Sequence, residues 1–350
     1  MMNLRRFLMV LVGISTLLCS SCEHRILTDP TDVHYVRVYL DENIRNVTYG
    51  FYNESHEHPE YKRPLSMLAC LADAQTGEIL YEGLLRNQGT DERGYYIEGY
   101  IGAQAGDYHL IIYQLGSPIT LIKNIGNYFN MQAYTSIVGD RALGALSHTS
   151  KVLGTDKIMQ EPEHIMVSRY NDIHINHSER VDTLKTAEGD YFTARTIAKS
   201  YYIQLNITGV EWIRSAGAVL SGMAGSNQMH IEDGANENDP VNLFFWMLYN
   251  GNHQRSANGE SSAILYTTFT TFGKIPDLTS ELTLNFEFVK SNGSSQVETI
   301  DLTEVFKTPL AVENQWLLLD KVIAITKPIG SEGMEPEVDG WKDEEADLPM

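Results

Sequence analysis

The chain is 350 residues long, 43% hydrophobic and 10% aromatic, with 46 acidic against 26 basic side chains and a net charge of −20. That balance argues against nucleic acid as a partner, which rewards clustered Lys and Arg, and against docking on anionic headgroups through a basic patch. The length is enough for two sizeable hydrophobic cores.

Arg5 and Arg6 open a short positive region, and Phe7 to Leu18 follow as an apolar run of signal-peptide length. Spanning a bilayer takes about 20 apolar residues, so this run is too short to be a membrane span. Cys19-Ser20-Ser21-Cys22 comes next. A bacterial lipobox wants a small residue just before the modified cysteine, a demand that Ser21 meets for Cys22 and Leu18 fails for Cys19. Residues 1–21 therefore read as a lipoprotein signal peptide and Cys22 as the lipid acceptor, with Cys19 standing where a branched residue is usual. An ordinary secretory signal is the alternative; both readings place the chain outside the cytoplasm. Loss of Arg5 and Arg6 with the signal takes the charge from −20 to −22. An outer-membrane tether at Cys22 would then carry a body repelled from the anionic surface and standing in solvent. Cys70 is left alone, reads as a small buried hydrophobe, and leaves the mature chain without an intramolecular disulfide.

Along the mature chain, two-residue alternation is common and helical periodicity scarce, which predicts an all-β fold. Val36, Val38 and Leu40 share one face of a first strand, with Tyr35, Arg37 and Tyr39 on the other. Strands are predicted at Leu65 to Leu71 and Tyr95 to Ile101, and after Ala105-Gly106-Asp107, where Tyr108, Leu110 and Ile112 alternate with His109, Ile111 and Tyr113. Met131 to Leu146 is the one stretch read as helical. Further strands are expected at Tyr201 to Ile207, Val241 to Leu248, Ile264 to Phe272 and Leu317 to Ile325. Leu282, Leu284, Phe286 and Phe288 alternate with polar residues, and Asn292-Gly293 turns that strand into Gln296 to Leu302 as a hairpin. Many short strands with polar turns suggest sandwiches. The polar segment Ser147 to Glu163 marks a boundary. One sandwich is expected over residues 22–150 and a second over 151–328, followed by an acidic tail over 329–350.

Catalytic signatures are missing from the sequence: P-loop, G-x-G-x-x-G, H-E-x-x-H, C-x-x-C and G-x-S-x-G are all absent. Ser221 to Ser226 is Gly-rich but lacks a following lysine, and reads as a tight turn or close strand packing. His56 and His58 flank Glu57, and His174 and His177 lie three apart, yet zinc needs three or four convergent ligands. No catalytic residue, metal or cofactor is assigned, and the chain reads as non-enzymatic. The 19 Tyr and 4 Trp suit pleated, half-buried strands, with an exposed sugar-binding row as the alternative.

Several segments resemble one group, the fimbrial anchor and tip lipoproteins of Bacteroidales, the FimB-like branch of the fimbrillin superfamily. They are Cys22-Glu23-His24, Arg37 to Glu42, Ala105 to Tyr113, Tyr201 to Gly209, Ala218 to Gly225 and the closing Gly333 to Trp341. The resemblance touches nearly the whole mature chain and implies two transthyretin-like sandwiches and a place in a type V pilus at the cell surface. In that family stalk subunits lose a first strand to cleavage at an arginine, and a neighbour's strand fills the groove. Anchor subunits keep both lipid and strand. The candidate arginines here, Arg37 and Arg45, lie within or just after the first strand, so retention is expected. The implied partners are other fimbrial subunits, with a host or glycan ligand beyond them. Asp182-Thr183-Leu184 resembles the O-glycosylation acceptor of these bacteria, at Thr183. The competing reading is a glycan-binding accessory lipoprotein.

Overall fold

A computed structural model describes residues 32–42, 44, 48–49, 54–55, 61–138, 158–178, 180–236, 238–249, 254–255, 261–275 and 282–328. Cys22, Arg45, His56, His58 and the tail from residue 329 lie outside the described residues. In the first half the strands are β1 (Asp32–Leu40), the short β2 (Thr48–Tyr49) and β3 (Glu54–Ser55), β4 (Met67–Asp73), β5 (Ile79–Leu85), β6 (Asn87–Asp91), β7 (Gly94–Ala103), β8 (Gly106–Tyr113), β9 (Thr120–Lys123) and β10 (Gln132–Thr135). Then come β11 (Ile158–Met159), β12 (Met166–Ile175), β13 (Asp182–Thr183) and β14 (Phe192–Thr196). The second half holds β15 (Lys199–Thr208), β16 (Ile213–Ala224), β17 (Ser226–Gln228), β18 (Pro240–Tyr249), β19 (Gln254–Arg255), β20 (Ser261–Thr271), β21 (Thr283–Lys290), β22 (Ser295–Asp301) and β23 (Trp316–Ala324).

The fold is all-β, two sandwiches in tandem. In the first, the strand order is β5-β4-β8-β12-β14-β1-β7-β6. This sheet curls until its far strands meet around one core. Gly83 on β5 permits the approach, because a Cβ there would stand 2.5 Å from the Tyr100 carbonyl oxygen on β7. Val36, Val38, Leu71, Leu85, Ile97, Leu110, Ile112 and Phe192 fill the interior. The alternation expected of the first strand holds: Val36, Val38 and Leu40 point inward.

The second sheet runs β22-β21-β16-β18-β20-β15-β23. β18 makes the corner, pairing with β16 through Pro240 to Met247 and with β20 through Leu248 and Tyr249. Leu284, Phe286 and Phe288 enter this core as their alternation predicts, and Phe245 stacks on Phe269 with ring centroids 4.6 Å apart. The β21–β22 hairpin turns through Gly293 at φ +83°, a left-handed conformation that glycine adopts without penalty. The Gly-rich run closes β16, with Gly222 at φ +80° beside a register shift between Leu220 and Met223. It is strand-packing chain and not a phosphate cradle.

Two expectations are corrected. The stretch read as helical from Met131 contains strand β10, which is zipped between β9 and β17; residues 139–146 lie outside the described residues. Small residues with weak periodicity had left the choice to tertiary pairing, which selected strand. The sandwich boundary does not fall near residue 150 either. β12 pairs with β8, and β14 pairs with β1, so chain as far as Thr196 completes the first sandwich. The final crossing is two residues long, Ile197-Ala198, and both are buried; earlier, β11 visits the second sheet to pair with β18 before β12 returns to the first. A polar segment breaks alternation wherever it occurs, but a domain ends only where the core does.

The sandwiches are fastened together. β10 pairs with β9 on one side and, across the junction, with β17 on the other. Tyr113, Tyr128, Met131, Ala133 and Val167 share an apolar cluster with Ala224, Met229, Phe272 and Ile275. Cys70 sits fully buried in the same cluster, where burial pushes its thiol up to about 12.

At this junction the Glu161 carboxylate accepts the Thr270 backbone N–H at 2.7 Å, while His164 bridges Thr196 at 2.8 Å and Ser200 at 2.9 Å. Desolvation raises the Glu161 pKa to about 7, against the lowering effect of the Thr270 hydrogen bond. The folded state therefore binds this proton more tightly than the unfolded chain, and stability falls as pH rises from about 4.5 towards 7. Glu161→Gln keeps the acceptor and removes the charge. Urea denaturation at pH 8 is expected to find the variant more stable by on the order of 1–3 kcal/mol, an advantage that shrinks as the pH falls towards 5. A gain of equal size at both pH values would contradict the assignment.

Candidate assembly and binding surfaces

β1 lies in the middle of the first sheet, antiparallel to β7 over its whole length and parallel to β14 at Val38 to Leu40. Arg37 projects from its outer face into a built clamp. Its guanidinium is 2.7 Å from Glu98 and 3.4 Å from Asp91, and it lies over the Tyr96 ring at 3.9 Å. Tyr35 donates to Glu98, and Tyr39 donates to Asp91 at 2.7 Å. Burial opposes the Arg37 charge, but the hydrogen bonds around it prevail and hold its pKa above the ordinary value. The bond after Arg37 runs into Val38, which is registered with Ile97 on one side and Phe192 on the other. A protease binds substrate as extended, unpaired chain, so reaching this bond means unzipping the centre of the sheet.

The outer strands offer poor templates for another chain. β6 is short and polar, Asn87-Gln88-Gly89-Thr90-Asp91. On the second sandwich the seam between β22 and β23 is bridged by side chains. The Gln296 amide donates to the Ala324 carbonyl at 2.9 Å and accepts from the Thr326 N–H at 3.1 Å. Lys321 reaches Glu298 at 3.5 Å across the same seam. Side chains that engage edge backbone in this way blunt strand addition.

An apolar stripe lies on the outer face of β18. Trp246 is 43% exposed, Leu248 is 55% exposed, and Phe244 lies buried beside Trp246 with ring centroids 5.1 Å apart. On the same sheet face Tyr266 is registered with Leu248 and with Gln204, whose hydroxyl partner is Tyr202 at 2.7 Å. The stripe is the aromatic feature that the alternation left open.

His174 and His177 do not converge. His174 pairs with Asp107 at 2.6 Å, which raises its pKa, and His177 pairs with Asp32 at 2.8 Å. Among the described residues no group of three His, Cys, Asp or Glu side chains could hold a metal ion. Thr183 is half-buried in β13, registered beside Tyr35.

A cleft of about 330 Å³ opens where β12 and β14 diverge, its wall completed by residues of the second sandwich. β12 and β14 are registered only at Met166↔Thr196 and Val167↔Arg195. Beyond that point the Thr193 N–H reaches the Tyr170 hydroxyl at 3.4 Å. Arg169, Arg195, Lys199, Glu232 and Asp233 all line this cleft, and none of them was singled out from the sequence. The available signal was Arg169, a charge directly after the buried run Ile165 to Ser168.

With both sandwiches described, comparison with known proteins places the architecture. A family model described as a domain of unknown function, DUF5119, matches residues 85–245. A candidate fimbrium anchoring subunit of Bacteroides ovatus, Fim4B, is 21% identical over 286 residues, covering 72% of this chain and 78% of that protein. The crystal structure of a candidate adhesin from Bacteroides ovatus superposes with a TM-score of 0.55 at 17% identity, covering 88% of this chain and 97% of that one. The fimbrial anchor protein Mfa2 from Porphyromonas gingivalis is 11% identical, covers 83% of this chain and 90% of its own length, and gives a TM-score of 0.44. The chain is thus similar along most of its length to a fimbrium anchoring candidate, and it shares its fold with a candidate adhesin.

Because Arg37 is clamped inside the sheet, limited digestion of the folded protein with an arginine-specific protease is expected to leave the Arg37–Val38 bond intact. Cuts at exposed Arg63 and Arg93 should appear first, read by intact-mass spectrometry. A stable product beginning at Val38 would show that β1 leaves the sheet more readily than its pairing implies.

Proposed function

We propose that this chain is a non-enzymatic outer-membrane lipoprotein, held by lipid on Cys22 and serving as anchor, tip or minor subunit of a surface fimbria. The observation that carries the reading is the first strand. A stalk subunit must surrender its first strand to receive a neighbour's, whereas here β1 is paired on both sides and Arg37 is locked to Glu98 and Asp91. A chain that keeps its strand ends or begins a filament. The similarity to the Bacteroides ovatus fimbrium anchoring candidate supports the same position. Its partners would be other fimbrial subunits, joined by strand addition in which main-chain hydrogen bonds bind and alternating side-chain pockets select. In that scheme the tail over 329–350 would be the donor segment.

The glycan-binding reading draws on one observation, the exposed Trp246 and Leu248 stripe. Amphipathic aromatic surface of this kind suits sugar faces as well as protein partners.

Metabolic labelling with a palmitate analogue should mark the parent chain, while Cys22→Ala should lose label and membrane-pellet association together. Persistence of both in the variant would remove the lipid anchor from the reading. Immunogold labelling of intact cells should place the chain at filament bases or tips, with filaments shed, lengthened or missing in a deletion strain. Dispersed gold with unchanged filaments would sink the fimbrial role.

A further inference from the structure

Tension enters a folded chain at its ends, so the directions of the strands nearest those ends decide how a load is shared. In the first sandwich the entry strand is β1 and the exit strand is β14, which hands the chain across Ile197 and Ala198 to β15. β1 and β14 are direct neighbours and parallel, with Val38 opposite Phe192 and Leu40 opposite Ala194. The second sandwich repeats the arrangement. β15 brings the chain in, β23 takes it out, and the two run parallel as neighbours from Tyr202 opposite Trp316 to Thr208 opposite Ala324. Among the described strands the only other parallel pairs are β1 with β13 and β11 with β18. Parallel neighbours need a long crossover, and here each crossover is almost a whole sandwich.

Parallel entry and exit strands are pulled from opposite ends. Drawing β1 by Asp32 while β14 is drawn by Thr196 slides the two strands past each other, so the ladder bonds along them stretch together. Antiparallel entry and exit strands would be pulled from the same end and would open one bond at a time. β1 cannot slide without also shearing β7, with which it is registered from Asp32 to Tyr39. On its other side the hold extends beyond the ladder. The Leu184 N–H donates to the Tyr35 carbonyl at 2.9 Å, and the Asp41 N–H donates to the Ala194 carbonyl at 2.9 Å. Arg195 reaches the Asp41 carboxylate at 3.3 Å across the same pair, and Arg37 and Tyr39 brace β1 against β6 and β7 through Asp91 and Glu98. In the second sandwich two bonds prolong the β15–β23 ladder. The Tyr202 N–H donates to the Gln315 carbonyl at 2.9 Å at one end, and the Ile325 N–H donates to the Thr208 carbonyl at 2.9 Å at the other. Each such bond contributes little alone, so resistance comes from having to rupture many at once. We propose that both sandwiches are tension clamps: a load applied along the chain between its two ends is carried in shear by the β1–β14 and β15–β23 pairs. Strand direction alone carries this role, whatever the chain's place in a fimbria.

The test is single-molecule pulling of the full chain, carrying Cys19→Ser and Cys22→Ser, between handles on its two ends and in two other directions at the same loading rate. An Ala105→Cys handle lies in the turn after β7, beside the Asp32 end of β1, so pulling it against the N-terminal handle peels β1 from β7. A Glu211→Cys handle lies just after β15, beside the Ala324 end of β23, so pulling it against the C-terminal handle peels β23 from β15. Both positions are exposed, and buried Cys70 stays out of the labelling reaction. End-to-end pulling should need about twofold or more the rupture force of either peeling direction, since forced unfolding follows the barrier crossed and not the equilibrium stability. Both cysteine variants should melt with the parent, which separates the direction of load from stability. End-to-end rupture at a force equal to or below that of either peeling direction would overturn the proposal.

Discussion

Everything in this molecule hangs on the apolar cluster between its two sandwiches. Tyr113, Tyr128 and Met131 from one side meet Ala224, Met229 and Phe272 from the other, all essentially dry. Burying a large apolar side chain is worth about 1.5–3 kcal/mol, so parting these surfaces would cost more than a typical domain's whole margin of stability. The linking chain reinforces the point. Two buried residues, Ile197 and Ala198, carry the backbone from one sheet to the next, and the β9-β10-β17 sheet ties the halves by main-chain bonds. Flexible tandem domains need an exposed, polar linker; this junction has neither property.

That rigidity shapes what the surfaces can do. A fused pair of sandwiches fixes the angle between its first strand and its far edge. The central position of β1 and the side-chain bridging of the β22–β23 seam share one logic, since each withholds backbone hydrogen-bonding groups from another chain. The same junction makes the cleft. β12 leaves β14 in order to stay with β8, and the second sandwich closes the gap with Asn227, Glu232 and Asp233. Buried polar groups are tolerated at that gap because they lie at the rim of two cores and in the interior of neither.

Much of the fold was legible in the sequence. Alternation located β1, β8, β15, β18, β20, β21 and β23 within a few residues, and it assigned Val36, Val38, Leu284 and Phe286 to the interior. The site was far less legible. Arg169 and Asn227 come from two strands distant in sequence, β12 and β17, and they line one cleft only when the sandwiches meet. β8 illustrates the same limit: Leu110 and Ile112 fill the first core, while Ile111 and Tyr113 on the opposite face fill the junction. A strand buried on both sides reads in sequence like one buried on a single side with apolar neighbours.

By itself, then, the sequence determined the acidity, the all-β character and the inward face of most strands, because each depends on composition or on a local period of two. Only the tertiary structure decided which strands became neighbours, that β14 and β23 would run parallel to β1 and β15, that the chain around Met131 would be strand, and that the first core would end at Thr196. Pairing is a competition among distant segments for the same hydrogen-bonding edges, and its outcome is set by how whole faces pack and not by the residues that flank any one strand.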